Sequence, residues 1–502
     1  MKKIITVLLL AAMLTSLASC GSEVVETDTA DTAADTAAVE ETQPAEETDA
    51  LEARKNIADE LPEKTFGGAV FTVLSDEPNY LMDNAIDIEE STGEVVDDAV
   101  FARNALVEER FGVTVEARYL PVAEVIKTLN TEVLAGDDVN DLVASHVCNM
   151  GQALFNDMYV NWYDVPYVNF AKPWWSPSTV NELTYDGKCF IAVGDVALSS
   201  LQATYCYYFN KQLVEDYQIP DVYETVLEGK WTVDYLISLT KDIYTDTNNS
   251  GDRDEEDFYG LCTNASSNAN TYLWAFDSRI IDKNAEGGLE VVYNSEKTVD
   301  IVTKLVSMYN ENVGISYNLN YVDSEGNKQF PYPRDMFLNN RTVFASGQIN
   351  MSLTHFRDME SDYGIIPYPK WNEEQAEYRT MVDGSHSAMA IPVTVQDMEM
   401  AGIITEAMCA ESYKQVIPAY YDTALKYKGT RDETSVEILD MIVNARVFDM
   451  GYVYDGWKGA SFLIQEMVRS ASSNFASTWA GKEQSVTAHY AEVIEYFEAY
   501  GE

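Results

Sequence analysis

Between residues 69 and 145 the chain alternates between strand-like and helix-like periodicity, and this limits the fold more than any other feature. AVFTVL (69–74), VTVEARYL (113–120) and DLVAS (141–145) have the β-branched, apolar character of strands. The first gap holds a helix-period stretch with Val100, Val107 and Phe111 on one face. The second holds Val122, Val125, Ile126, Leu129 and Val133 and stops at Gly136. Strand, helix, strand, helix, strand needs right-handed crossovers, hence a parallel sheet and an α/β fold. Such a sheet opens its ligand crevice beyond the carboxyl ends of its strands. Those ends are Ser75, Asp76 and Glu77, then Ser145, His146 and Asn149.

Upstream, Lys2 and Lys3 precede the apolar run IITVLLLAAML, too short for a membrane span, and the segment closes with LASC, Leu17 to Cys20. This ending resembles a bacterial lipobox, which implies removal of residues 1–20 as a lipoprotein signal peptide and lipidation of Cys20. From Gly21 to Ala50 the composition is Ala, Thr, Glu and Asp without a basic residue, so residues 21–62 are expected to be a disordered acidic linker. A self-repelling coil of about forty residues would hold the body roughly 35 Å or more from its anchor.

The remaining body is long enough for two lobes, and 32 tyrosines and 8 tryptophans can fill their cores. With 33 basic and 83 acidic residues the net charge is −50, which repels nucleic acid and anionic lipid. Cys148, Cys189, Cys206, Cys262 and Cys409 show no CxxC or metal-type spacing and read as buried free thiols, with at most one or two disulfides. Four histidines, none in an HExxH pair, give no zinc signature. There is no GxSxG elbow, no Walker loop and no GxGxxG after a strand.

One loop does carry a metal pattern. In DTNNSGDRDEED (246–257) oxygen-bearing residues recur at alternate positions around Gly251. Calcium takes six to eight oxygens at roughly 2.3–2.6 Å, which Asp246, Asn248, Ser250, the Asp252 carbonyl, Asp254 through a water, and Asp257 could supply. Aspartate replaces the usual glutamate at the twelfth position, which lowers the expected affinity. A solvated acidic turn is the alternative. WTVDYLISLTKDIYT before the loop reads as a helix capped by Thr232, whereas FYGLCTNASSNAN after it reads as a poor helix, so a structural calcium clip is expected rather than a paired sensor.

GEVVDDAVFARNALVEERFGVTVE, KPWW (172–175), GDVALSS, YYFNKQLVEDY, GKWTVDYL and the calcium-like loop resemble one lineage of extracellular solute-binding lipoproteins, similar to the sugar-binding proteins of ABC transporters. FASGQINMSLTHF followed by YGIIPYPKW extends the likeness. The resemblance implies a two-lobed periplasmic-binding-protein-like α/β clam-shell of type II with a multi-strand hinge, its first lobe at 63–200 plus 356–395 and its second at 205–350 plus 400–502. It further implies a monomer that captures a small solute, an oligosaccharide by preference, for an ABC permease, with no catalysis. By position in the family, Asp195, Tyr205, Tyr272, Trp274, His355, Arg357 and Trp457 join Asp76, Ser145, His146 and Asn149 as ligand contacts. Ser145 and His146 stand where maltose-binding relatives present a tryptophan. Trp274 and Trp457 suit a core equally well, His146 and His355 could be satisfied polar residues, and Trp174, Trp175 and Trp231 read as packing residues. The competing classes are a surface glycosidase, which needs two carboxylates about 5–10 Å apart, and a peptide or amino-acid receptor of the same fold.

Overall fold

The computed structural model describes residues 53–78, 86–357, 359–426, 433–456 and 458–501. The signal segment, Cys20, the acidic stretch to residue 52 and Trp457 lie outside them.

The opening alternation folds as expected. Strands Ala69–Asp76, Val113–Leu120 and Leu142–His146 are parallel, with Ala69–Asp76 in the middle. Helices Val95–Phe111 and Val122–Ala135 make the crossovers. Strand Ser387–Ala390 adds antiparallel to Leu142–His146 and completes this first sheet. Phe71, Val73, Val107, Phe111 and Val115 form its core with Trp174 and Trp175.

A second sheet runs in the order Tyr363–Ile366, Tyr205–Asn210, Thr342–Gln348, Phe258–Cys262, Tyr244–Thr245, and Ile315–Ser316 also pairs with Phe258–Cys262. Thr342–Gln348 is parallel to Phe258–Cys262 and antiparallel to Tyr205–Asn210, so the carboxyl ends of the first two lie at the same edge as Tyr205. The helix expected before the acidic loop is Val233–Thr240, and the Thr232 side chain accepts from the Tyr235 N–H. Downstream the expectation of a poor helix is corrected: Phe258–Cys262 is a strand and Ser267–Ala275 a helix. Tertiary bonds override the weak local propensity here, since the Asn268 amide donates to the Ser346 carbonyl at 3.2 Å and the Gln465 N–H donates to Asn270 Oδ1 at 3.0 Å.

Three segments of the chain meet beside the second sheet. Ile349 N–H donates to the Thr204 carbonyl, Asn350 N–H to that of Gln202, and Asp383 N–H to that of Ala203. The lobe boundaries need correction. Tyr363–Ile366, assigned to the first lobe, pairs with Tyr205–Asn210 in the second sheet. Helix Met398–Glu411, assigned to the second lobe, buries Ile403, Ile404, Ala407 and Met408 in the core of the first. Its Glu406 accepts from the Trp174 and Trp175 indole N–H groups, each at 2.8 Å. The linker boundary also moves. Residues 53–62 are docked, with Asp59 paired to Arg110, Glu60 to Lys172, and Leu61 buried.

All five cysteines in the described residues are buried free thiols. No helix among the described residues is long and apolar enough to cross a membrane.

Candidate functional site

A cavity of about 250 Å³ opens at the edge of the second sheet where the strands present their carboxyl ends. Asn264, Ser267 and Asn268 reach it from beyond Phe258–Cys262. Gln348, Asn350, Met351 and His355 come from the end of Thr342–Gln348 and the turn after it. Tyr205 opens the neighbouring strand, Asp383 and Ser385 lie on the stretch that returns to the first sheet, and Phe330, Pro331 and Arg334 close the outer side.

Local chemistry explains each placement. Asn264 Oδ1 accepts from the Ser266 N–H at 3.1 Å and starts the helix that carries Asn268. Asp383 accepts from Tyr205 OH at 2.7 Å on one oxygen, and from the Ser385 N–H at 3.0 Å and hydroxyl at 2.6 Å on the other. Burial and the neighbouring Asp383 charge push the Tyr205 phenol well above its usual pKa, so it stays a donor. Gly384 follows because a Cβ there would stand 2.5 Å from Cys148 Sγ and 2.6 Å from the Tyr452 hydroxyl. Arg334 is committed on three sides: Nε donates to Asp335 at 2.6 Å, Nη2 to Asp323 at 3.2 Å and Nη1 to His355 Nε2 at 2.9 Å. Burial and the Arg334 charge push His355 down to about 4, so it is a neutral acceptor toward the guanidinium.

Of the expected contacts, Tyr205 and His355 line this cavity. Asp76 is buried and turned inward, accepting from Ser145 Oγ at 2.6 Å and the His146 N–H at 2.9 Å; burial raises its pKa. Ser145 is thereby consumed as a donor. His146 packs near Asp383 with its pKa lowered by burial, and its Nδ1 is buried without a partner. Asn149 is half-buried in helix Val147–Gln152 and does not line the cavity. Asp195 lies elsewhere, near Arg446 and Arg54, with burial raising it to about 7. Tyr272 is core, bonded to the Tyr207 hydroxyl and packed on Tyr368. Trp274 is core as well, its indole N–H donating to Asp449 at 2.9 Å. Arg357 pairs with Glu94 at 3.8 Å, away from the cavity lining. Asp383, Asn268, Gln348 and Asn350 also line the cavity, and isolated amides and acids such as these carry no sequence signal beyond their position near strand ends.

A larger cavity of about 450 Å³ carries Arg279, Lys283 and Lys297, but these cations are spoken for. Arg279 pairs with Glu182 at 3.2 Å, Lys283 donates to the Asn181 carbonyl and Lys297 to that of Asp277.

The loop 246–257 precedes strand Phe258–Cys262 and so sits at the end of that strand opposite the cavity. Asp246 accepts from the Ser250 and Gly251 N–H groups and Asn248 Oδ1 from Ser250 N–H, with Gly251 at φ +78° and Asn249 at +58°. Ser250 Oγ donates to the Asp252 carbonyl, and Asp254 accepts from the Glu256 N–H. Asp257 is buried and accepts from Tyr244 OH and the Thr247 and Asp254 N–H groups. The donors are of the oxygen type calcium prefers, although among the described residues no group of three or more His, Cys, Asp or Glu is placed to hold a metal.

No protein-family model and no curated protein matches the sequence. Solved structures do match in fold. The cyclic α-maltosyl-1,6-maltose binding protein from Arthrobacter globiformis superposes with a TM-score of 0.56 at 14% identity, over 84% of this chain and 99% of its own. The galacto-N-biose-/lacto-N-biose I-binding protein of the ABC transporter from Bifidobacterium longum gives 0.54 at 12% identity, over 86% and 98%. An ABC substrate-binding protein from Listeria monocytogenes in complex with cycloalternan gives 0.53 at 12%, over 84% and 99%. The chain has the two-lobed fold of ABC solute-binding proteins. In that solute-binding fold the two sheets belong to separate lobes, and the cavity described above lies where the second sheet meets the stretch returning to the first.

Proposed function

We propose that this protein captures a neutral sugar, by preference an oligosaccharide, and delivers it unchanged to an ABC permease. The observation that carries the reading is the cavity at the strand ends, where Tyr205, Asp383 and four side-chain amides converge. Amides and a carboxylate in this arrangement hold hydroxyl groups, and no cation is left over to hold an anion. Arg334 is balanced by Asp323 and Asp335, which argues against a peptide or amino-acid ligand. Asp383 is the one carboxylate among the cavity's lining residues, whereas glycoside hydrolysis needs two. The named ligands of the three fold relatives are sugars, which adds an analogy of fold.

Closure of the two lobes over the ligand, a monomeric state, the lipid anchor on Cys20 and a calcium clip at 246–257 complete the proposal. Calorimetric titration with a panel of neutral glycans, followed by product analysis, tests its centre. One-to-one binding with the glycan recovered intact is expected; cleavage, or no binding across the panel, overturns it. Cys20→Ala should move the protein from the membrane to the soluble fraction, and unchanged partition removes the anchor.

A further inference from the structure

We propose that residues 317–330 form the loop that sets ligand length and specificity, with the Phe330 ring as its stacking platform; this rests on the sugar-binding reading above. Phe330 is 52% exposed and yet lines the cavity, so its ring is an apolar face at the mouth of a polar chamber. Sugar rings offer an apolar face of their own with hydroxyls at the edge, which matches a ring beside amides.

The backbone presents this ring at a cost. Gln329, immediately before it, sits at φ +48°, a left-handed conformation that a non-glycine residue adopts only when its surroundings enforce it. The enforcing contacts are specific. Gln329 N–H donates to the Tyr321 carbonyl at 2.8 Å and its own carbonyl accepts from the Tyr332 N–H at 3.2 Å. Asp323 accepts from the Glu325 N–H, the Asn327 N–H and amide, and Arg334 Nη2. Tyr321 OH donates to Asp335 at 2.6 Å, and Asp335 in turn holds Arg334 Nε. Arg334 and His355, bonded to each other, also line the cavity, so the chamber wall and the loop are one hydrogen-bonded unit.

Length follows from volume. The chamber of about 250 Å³ falls below the roughly 300–1,000 Å³ of pockets that enclose a drug-sized molecule. One end of a glycan would fill it, and the remainder would run over the loop, where Val322 is 50% and Leu319 40% exposed.

The test is calorimetry on the full chain with neutral glycans of one to six units built from glucose, galactose, mannose or xylose. The wild type should bind with affinity rising beyond one unit. Phe330→Ala should weaken binding of the best glycan roughly 10- to 100-fold, as expected for a lost aromatic burial, with melting temperature unchanged. Phe330→Trp should restore affinity and Phe330→Leu should not, which separates ring stacking from mere bulk. If Asp383→Asn weakens binding while Phe330→Ala stays within twofold of wild type, the loop inference is overturned and the site stands. If the wild type binds no glycan, the sugar reading falls and the inference falls with it.

Discussion

The carboxyl ends of strands in the two sheets obey one topological rule and have opposite fates. At the first sheet Asp76, Ser145 and the His146 N–H saturate one another and face inward. At the second, Asn264, Asn268, Gln348 and Tyr205 border a cavity. Groups at both ends are hydrogen-bonded internally, Tyr205 to Asp383 and Asn268 to Ser346 at the second. What separates them is that the second end opens on a cavity where remaining donor and acceptor capacity can face a ligand.

Four measurements test this contrast. The largest effect belongs to Trp274→Ala, because helix Ser267–Ala275 offers Ser267 and Asn268 to the cavity while burying Trp274 against Tyr452 and Asp449. Chemical denaturation should show a loss of about 3–5 kcal/mol; a stable variant with weakened sugar binding would return Trp274 to the site.

On the first-sheet side, burial raises Glu406 to about 7 despite the indole donors. A carboxyl whose folded pKa exceeds its unfolded value of 4.5 holds its proton more tightly when folded. Its contribution is thus fully present below that unfolded value and is lost as pH rises to about 7. Glu406→Gln should remove up to about 3 kcal/mol of pH dependence between pH 4.5 and about 7, and an unchanged stability profile would refute the shift.

Asp383→Asn should cost about 2 kcal/mol of glycan affinity, roughly thirtyfold. Asp76→Asn offers one acceptor to two donors and should cost about 1–2 kcal/mol of stability with affinity intact. Equal losses of affinity in both variants would erase the distinction between the two strand ends.

The smallest effect concerns the acidic loop, at the far end of Phe258–Cys262 from the cavity. Calcium at a few times its Kd should stabilise by about 1 kcal/mol, read as a higher melting temperature than in chelator. Identical melting curves would leave an acidic turn.

Much of the frame was legible. Helix Val122–Ala135 stops at Gly136, Thr232 caps its helix, and Trp174 and Trp175 pack as read. The cavity lining was less so. Tyr205 and His355 line the cavity, whereas Tyr272 and Trp274 are core, because an aromatic on a helix looks alike whether it faces a core or a cleft. Within FASGQINMSLTHF the histidine His355 stands out by its chemistry, whereas Gln348 and Asn350 carry no distinguishing signal in isolation.

Periodicity, caps and turns act over a few residues, so the first sheet, its crossover helices and the acidic loop could be read along the chain. The chamber could not. Tyr205 meets Asp383 across 178 residues, Asn268 meets Ser346 across 78 and Trp274 meets Asp449 across 175. Whether a polar group is spent internally or left to face a ligand depends on such distant partners, and only the folded arrangement of both sheets supplies them.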